Sequence, residues 1–423
     1  VPISTYQSQF TTAAPTDNVV LLYSGGPRTL SADLPINSLT LDTFVTATID
    51  LQGHTLTLSS GGYLAEGTDP AIITNGTFTA GTPGTGGELF VHTLREQAQI
   101  SANITDNAGG QVSLVKSGDF GLELSGANTY TGPTYANEGT LLIDTVTALP
   151  ANNVLKVNGA TVNFTLADPS ATFQLGALEL RQNGLVYGVV GGAAVNAASY
   201  TLESGTLHLR LTGNGPMQKN TEGTVFLAAQ TSEYSGTIDV NAGTLAAWAT
   251  SDPLGTGLVR VHAGANLVSN VLTLNNPIEL AGDLSTSPPL ENVPMNFNGA
   301  ITATGPATIT TVDTMGYAQT SPSPYYYQTL AFNNAVTVQN GASLTVLGEG
   351  TVQFNGGVTN HGSMLLTGAT TIKGVLVNTG VLHITGGTAQ VAAGMTLDNT
   401  GTVAVDAGKL VLSSGDGGAG GSL

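Results

Sequence analysis

The sequence has no cysteine and few charged residues. Asp, Glu, Lys and Arg supply only 9% of its 423 residues. Without cysteine there are no disulfides, no cysteine nucleophiles and no thiolate metal sites. The 10 basic and 28 acidic residues give a net charge of 10 − 28 = −18. Because a strongly acidic surface repels phosphate backbones, we predict that the chain does not bind nucleic acid.

Long apolar runs and helix-forming runs are also missing. No segment approaches the ~18 consecutive apolar residues of a membrane-spanning helix, so we expect no transmembrane segment in this chain. The chain starts at Val1 without a signal peptide, and we interpret it as a mature or trimmed segment of a longer precursor. Apolar residues still supply 41% of the sequence, and glycine contributes 56 residues. This composition fits strands joined by tight turns and disfavours a disordered chain.

A short repeat recurs in the C-terminal third of the chain. Each copy has a turn next to an asparagine and then a short alternating strand, and the asparagines are 20, 18 and 21 residues apart: Asn340, Asn360, Asn378 and Asn399. Three short strands with their turns use about 20 residues, which is one rung of a β-solenoid. Alternation sends one set of side chains inward. Asparagines at one place in successive rungs are therefore predicted to form a hydrogen-bonded ladder.

A longer period relates residues 116–141 to residues 219–245. Gly132 matches Gly236 and Gly139 matches Gly243, each at an offset of 104 residues. Tyr130 matches Tyr234 at the same offset. About five rungs of the predicted size separate the two copies.

The first copy has a Lys-x-Gly start, a Leu-x-Leu strand, a Gly-x-Asn-Thr-Tyr-x-Gly-x-Thr segment and a closing Gly-Thr-Leu. These residues are Lys116, Gly118, Leu122, Leu124, Gly126, Asn128, Thr129, Tyr130, Gly132, Thr134, Gly139, Thr140 and Leu141. The second copy keeps Lys219, Tyr234, Gly236, Thr237, Gly243, Thr244 and Leu245, with Ser232-Glu233 in place of Asn-Thr. The pattern resembles the autotransporter-associated β-strand repeat of bacterial passenger regions. The resemblance implies an all-β, right-handed parallel β-helix (β-solenoid) that is extracellular or at the bacterial cell surface, and it implies no reaction and no cofactor.

The predicted organisation has three parts. Residues 1–35 are polar and irregular and are predicted to be an N-terminal cap or lead-in, residues 36–412 a continuous β-helix, and residues 413–423 a flexible Gly-rich tail. A loop near 313–330 interrupts the coil and gathers four tyrosines: Tyr317, Tyr325, Tyr326 and Tyr327. These rings either contact a glycan or protein partner or pack back onto the coil.

Titratable residues are scattered along the sequence. Two carboxylates about 5–10 Å apart are required for glycoside hydrolysis, and the sequence contains no Asp-Asp pair. The six histidines have no metal-ligand spacing. We therefore predict a non-enzymatic structural or adhesive β-solenoid without cofactor, whose partners are copies of itself or surface glycans or proteins. Two alternatives stay open: a head-to-tail polymerising subunit of an extracellular filament or surface layer, and a β-helix polysaccharide lyase or glycosidase.

Overall fold

The computed structural model is a β-solenoid of stacked parallel strands, which confirms the predicted fold class. It describes residues 6–7, 10–23, 27–228, 232–248, 253–286, 294–311, 329–348, 350–392 and 396–412. Within these ranges the one helical element is a short 3-10 turn at Phe10–Thr12. A rung takes about 22 residues, slightly more than predicted, because several corners carry longer loops. The chain forms two compact units, Val1–Arg210 and Leu211–Leu423, which are described separately.

The first unit winds through three faces. Face A contains Tyr6–Gln7, Asn18–Tyr23, Gly87–Thr93, Val112–Ser117, Thr134–Ala136, Asn153–Asn158 and Tyr200–Leu202. Face B contains Arg28–Thr29, Ala47–Asp50, Ala71–Thr74, Ala98–Ile100, Gly121–Leu124, Thr140–Ile143, Thr161–Phe164, Gly184–Gly188 and Gly205–His208. Face C contains Thr77–Ala80, Asn103–Ile104 and Ala194–Ala197, and three longer strands pass from face C into face A: Leu34–Thr43, Thr55–Gly67 and Thr172–Arg181.

The second unit has the same three kinds of face. Face A contains Met217–Lys219, Ile238–Val240, Val259–Val261, Ile278–Leu280, Ile301–Ala303, Val336–Val338, Val358–Asn360, Leu376–Asn378 and Leu397–Asn399. Face B contains Thr224–Leu227, Thr244–Ala247, Asn266–Ser269, Asp283–Thr286, Pro306–Thr311, Ser343–Gly348, Ser363–Leu366, Val381–Ile384 and Thr402–Val405. Face C contains Thr212–Gly213, Glu233–Tyr234, Thr273–Leu274, Met295–Phe297, Thr329–Phe332, Thr351–Phe354, Ala369–Ile372, Thr388–Val391 and Lys409–Leu412.

Alternation of side chains builds the core. Leu122 pairs with Leu141, which pairs with Val162, and all three are fully buried. On face C of the second unit the rings of Phe297, Phe332 and Phe354 stack, with centroids 5.0 and 5.3 Å apart. Similar apolar residues therefore recur one above another, so each rung buries the apolar surface of the rung below.

The beginning of the coil differs from the prediction. Asn18 pairs with Ser38, and Tyr6 pairs with Asn18, both in parallel register. Strands are therefore already paired before residue 36, the predicted start of the coil. In this segment Val19 and Leu21 are buried, and the outward Leu22 is exposed. The tail at 413–423 and most of the loop near 313–330 lie outside the described residues, and continuity of the coil from 36 to 412 stays a prediction.

Candidate functional site

Each of the two long-period copies buries a lysine at the end of a face A strand. Lys116 and Lys219 have no exposed surface. A buried ammonium is costly unless hydrogen bonds replace its water. The Nζ of Lys116 donates to the carbonyl oxygens of Ser117 at 2.8 Å, Gly118 at 2.7 Å and Glu138 at 3.0 Å. Because Glu138 belongs to the next rung, this lysine joins the turns of two rungs.

The second copy repeats this contact. The Nζ of Lys219 donates to the carbonyl oxygens of Thr221, in its own turn, and of Ala242, one rung on at 3.0 Å. In the first copy, the Glu138 carboxylate also accepts a hydrogen bond from the Gly118 N–H at 2.8 Å. Burial lowers the pKa of Lys116 to about 8, and the carboxylates of Glu138 and Asp119 oppose this shift. The ammonium therefore stays charged at neutral pH.

In the next rung, the corner that stacks on the turn after each lysine requires glycine. Gly139 and Gly243 have φ angles of +62° and +65°. A Cβ on Gly139 would lie 2.4 Å from the carbonyl oxygen of Gly118, and one on Gly243 would lie 2.3 Å from that of Thr221. Both the left-handed backbone and the close approach of the neighbouring rung therefore exclude a side chain.

The Gly-x-Asn-Thr-Tyr-x-Gly segment of the first copy alternates between buried and exposed residues. Asn128 is buried; its Oδ1 accepts from the Ile104 N–H at 2.7 Å, and its Nδ2 donates to the Ala148 carbonyl at 2.6 Å. It therefore bridges the chain before it and the chain after it. Tyr130 is buried with its hydroxyl 2.6 Å from the Thr134 hydroxyl. Thr129 is exposed.

Close backbone contacts also explain the glycines of this segment. A Cβ on Gly126 would lie 2.3 Å from the Ala102 carbonyl oxygen, and one on Gly132 would lie 2.4 Å from that of Val112. In the second copy, Gly236 packs against Gly215 in the same way.

The second copy keeps the buried tyrosine and replaces the asparagine. The Tyr234 hydroxyl donates to the carbonyls of Gly215 at 2.7 Å and Thr237 at 3.1 Å. Ser232 stands in the place of Asn128, and its hydroxyl donates to the Leu211 carbonyl at 3.1 Å. Ser232 thus bonds to the preceding rung as a donor, whereas Asn128 bonds to its preceding rung as an acceptor.

A ladder of buried asparagines runs along face A of the second unit. The Nδ2 of Asn360 donates to Oδ1 of Asn378 at 2.8 Å, and the Nδ2 of Asn378 donates to Oδ1 of Asn399 at 2.7 Å. The same amides also donate to the carbonyls of Val381 at 2.9 Å and Thr402 at 3.0 Å. These residues are 18 and 21 positions apart, as in the sequence repeat.

Asn340 does not belong to this ladder, contrary to the spacing-based prediction. Val338, not Asn340, pairs with Asn360. Asn340 lies two residues further along, exposed in the turn before Gly341. In the rung of Asn340, the asparagine lies in the turn, two residues after the strand residue that pairs with Asn360. The spacing of 20 residues between Asn340 and Asn360 therefore did not place them in register. As a result, Oδ1 of Asn360 is buried and has no hydrogen-bond partner within the described part of the chain.

Two groups of interacting ionisable side chains lie on outer surfaces. On face B of the first unit, burial and the nearby Asp144 raise the pKa of Glu123, while Gln97 donates to the Glu123 carboxylate at 2.7 Å and lowers it. On face A of the second unit, Arg260 lies 2.8 Å from Glu279 and 3.6 Å from Asp239. Among the residues that the structure describes, no group of three or more His, Asp or Glu side chains could hold a metal ion.

The four predicted contact tyrosines, Tyr317, Tyr325, Tyr326 and Tyr327, lie outside the described residues. Sequence reasoning missed a different aromatic feature in the second copy. Trp248, the only tryptophan of the chain, is 47% exposed at the end of a face B strand. Phe226 lies beside it on the preceding rung. The signal in the sequence was a large aromatic residue at an outward position of an alternating strand.

Comparison with known proteins agrees with this geometry. Residues 114–143 and 219–247 match the passenger-associated-transport-repeat family. These two segments contain both buried lysines and both glycine corners. No curated protein and no solved structure matches the chain significantly. In the described residues, no helix is both long and apolar enough to span a membrane.

Proposed function

We propose that this autotransporter passenger-like β-helix repeat protein is a non-enzymatic scaffold, exported to the bacterial surface or beyond, that presents its outer faces to partners. One observation carries the proposal. The two copies of the passenger repeat share the buried lysine contact, the buried tyrosine and the glycine corner, and they differ in the residues that face solvent. Lys116 and Lys219 make the same kind of rung-to-rung contact. Glu123 in the first copy is Phe226 in the second, and Asp144 is Trp248.

The buried polar contacts support a role in fixing rung register. A slip of one residue turns every inward side chain of a strand outward. Apolar side chains of similar size tolerate small misalignments, whereas the Lys116 ammonium reaches its three carbonyls in one arrangement. A chain that folds after export benefits from such contacts, because each completed rung then aligns the next one.

The scaffold role is tested by removing the hydrogen bonds of the buried Lys116 ammonium. Replacing Lys116 with methionine keeps the length of the side chain and removes its donors. We expect lower exported yield and faster cleavage of residues 112–143 by protease than in the parent chain. Lys156→Met is the matched control, because Lys156 is a partly exposed lysine on face A with a surface ion pair to Glu179. Equal yield and equal protease resistance of the two variants would contradict the proposed role of the buried lysine.

One observation favours an enzyme as the second candidate. Glu123 and Asp144 are carboxylates close enough to influence each other, and the pKa of Glu123 is raised. General acid catalysis uses a carboxyl group with a raised pKa. Incubation with neutral and acidic polysaccharides, followed by a reducing-end assay, tests this function. Turnover that Glu123→Gln and Asp144→Asn both abolish would replace the scaffold proposal. Turnover that persists in both variants would reject this pair as the catalytic site.

A further inference from the structure

Two exposed aromatic rings form a small platform on face B of the second unit. Phe226 is 38% exposed and Trp248 is 47% exposed. Their ring centroids are 6.1 Å apart and their planes meet at 84°. The indole N–H of Trp248 makes no hydrogen bond within the described residues. The platform thus offers apolar ring surface together with one available donor.

The fold does not require these rings. Their equivalents in the first copy are Glu123 and Asp144, and the backbone is the same in both places. The backbone N–H of Trp248 donates to the Leu227 carbonyl at 2.8 Å, as the backbone N–H of Asp144 donates to the Leu124 carbonyl at 3.1 Å. Exposing two large rings side by side keeps apolar surface in water, and such patches on exported proteins are typical of contact sites.

The surface around the platform is almost uncharged and carries hydroxyl and amide groups. Two columns of residues at outward strand positions run through the first six rungs of this face, and Ala246 is the buried member of the second column. One column reads Thr224, Thr244, Asn266, Asp283, Thr308 and Thr345, and the next reads Phe226, Ala246, Val268, Ser285, Thr310 and Leu347. Asp283 is the single charged residue among these twelve. By contrast, face A of the same unit carries the ion pairs of Arg260 with Asp239 and Glu279.

We propose that Phe226 and Trp248 form the contact site for a neutral saccharide chain that lies along face B of the second unit. A sugar ring has an apolar C–H surface, which can stack on the indole, and a rim of hydroxyl groups. The columns of Thr, Ser and Asn side chains supply hydroxyls and an amide as hydrogen-bond partners at a spacing of ~4.8 Å per rung. An anionic glycan or nucleic acid finds no cation among these twelve residues and meets a net charge of −18 on the chain.

This proposal goes beyond the scaffold role, since a scaffold that binds no saccharide would still satisfy the lysine test above. Trp248 is the only tryptophan of the chain, so its fluorescence reports directly on the platform. Titration of the full chain uses cellohexaose, laminarihexaose and maltohexaose as neutral probes. We expect a saturable blue shift of the emission with at least one of them, together with protection from acrylamide quenching.

Two variants separate an effect on folding, measured by circular dichroism, from an effect on saccharide affinity, measured by the fluorescence titration. Phe226→Glu places at this position the residue that the first copy carries, so the fold should accept it, and circular dichroism checks this. We expect at least ten-fold weaker binding in this variant. The control is Phe90→Ala, which removes an exposed ring, 42% exposed, from face A of the first unit. Its affinity should equal that of the parent chain.

Four outcomes would overturn the proposal. One is the lack of any saturable change with all three neutral probes at millimolar concentration. A second is a saturable change with an oligogalacturonate alone, and a third is an equal loss of affinity in Phe90→Ala. The fourth is an emission shift that depends on protein concentration without sugar, with sedimentation showing dimers, because the platform would then contact a second copy of the chain.

Discussion

Interrupting the buried asparagine ladder should destabilise the second unit by an amount that the contacts define. In Asn378→Val, the side chain loses its bonds to Asn360, Asn399 and the Thr402 carbonyl. Two acceptors, Oδ1 of Asn399 and the Thr402 carbonyl, lose donors, at about 1–2 kcal/mol each. Burial of the valine offsets about 1 kcal/mol of this. We therefore expect the free energy of unfolding to fall by about 1–3 kcal/mol.

The measurement combines urea unfolding with hydrogen exchange, because rungs can open locally. Circular dichroism gives the unfolding midpoint, and faster amide exchange should be concentrated in residues 358–405. A variant with valine at positions 360, 378 and 399 measures the interaction energy among the three asparagines. It removes donors and acceptors together, so its cost should be smaller than the sum of the three single substitutions.

A second substitution tests the same ladder in the opposite direction. Val338 lies directly below Asn360, whose Oδ1 is buried without a donor. Val338→Thr places a hydroxyl where it can donate to that oxygen. The matched control is Val336→Thr on the same strand, where valine is equally buried; an unsatisfied hydroxyl there costs about 1–3 kcal/mol. The reasoning is refuted if the two threonine variants are equally stable, or if Asn378→Val leaves the unfolding free energy unchanged.

Three further predictions concern glycine and tyrosine residues. Gly139→Ala should lower the free energy of unfolding by about 2–3 kcal/mol, because φ is +62° and the new Cβ would lie 2.4 Å from a carbonyl oxygen. Gly264→Ala, with φ +80° and nothing within 4 Å, should lower it by about 1 kcal/mol. Equal thermal midpoints for the two variants would disprove the contribution of the close contact. Tyr63→Phe should raise the unfolding free energy by up to about 1 kcal/mol, because the Tyr63 hydroxyl is buried without a partner in the described residues. Tyr130→Phe should lower it by about 1 kcal/mol, because the hydrogen bond to Thr134 is lost. Urea midpoints that shift in the same direction in both variants would contradict this prediction. Burial raises the pKa of Tyr200 to about 12 and also raises the pKa values of Tyr63 and Tyr130. Because an unfolded tyrosine ionises near pH 10, the free energy of unfolding should be constant with respect to these groups below pH 10 and should decrease as the pH rises towards 12. The urea midpoint should therefore fall over that interval, and it should fall less in Tyr200→Phe.

Much of the fold could be read from the sequence because its determinants are local. Alternating strands of three or four residues and turns that require glycine recur within each rung, so the period of about 20 residues is visible without tertiary information. The asparagines at 360, 378 and 399 already had the spacing at which their amides bond. The passenger-like family was recognisable from residues 116–141, which the family comparison confirms.

Register and burial needed the tertiary structure. Asn340 has the spacing of a ladder residue, yet Val338 occupies the place below Asn360, because turn lengths differ from rung to rung. Lysine is normally a surface residue, and nothing in the sequence around Lys116 indicates that three carbonyls enclose its ammonium. The pairing of strands before residue 36 likewise became visible only in the structure.

The outer surface was the least predictable part. Sequence order by itself determined that Phe226 lies in one strand segment of the second repeat and that Trp248 directly follows the next. It did not determine that their rings meet, since they are 22 residues apart in the chain. Only the stacking of two rungs brings such residues within 6.1 Å of each other. Contacts along a strand follow from sequence order, whereas contacts between rungs depend on how many residues each turn of the coil contains.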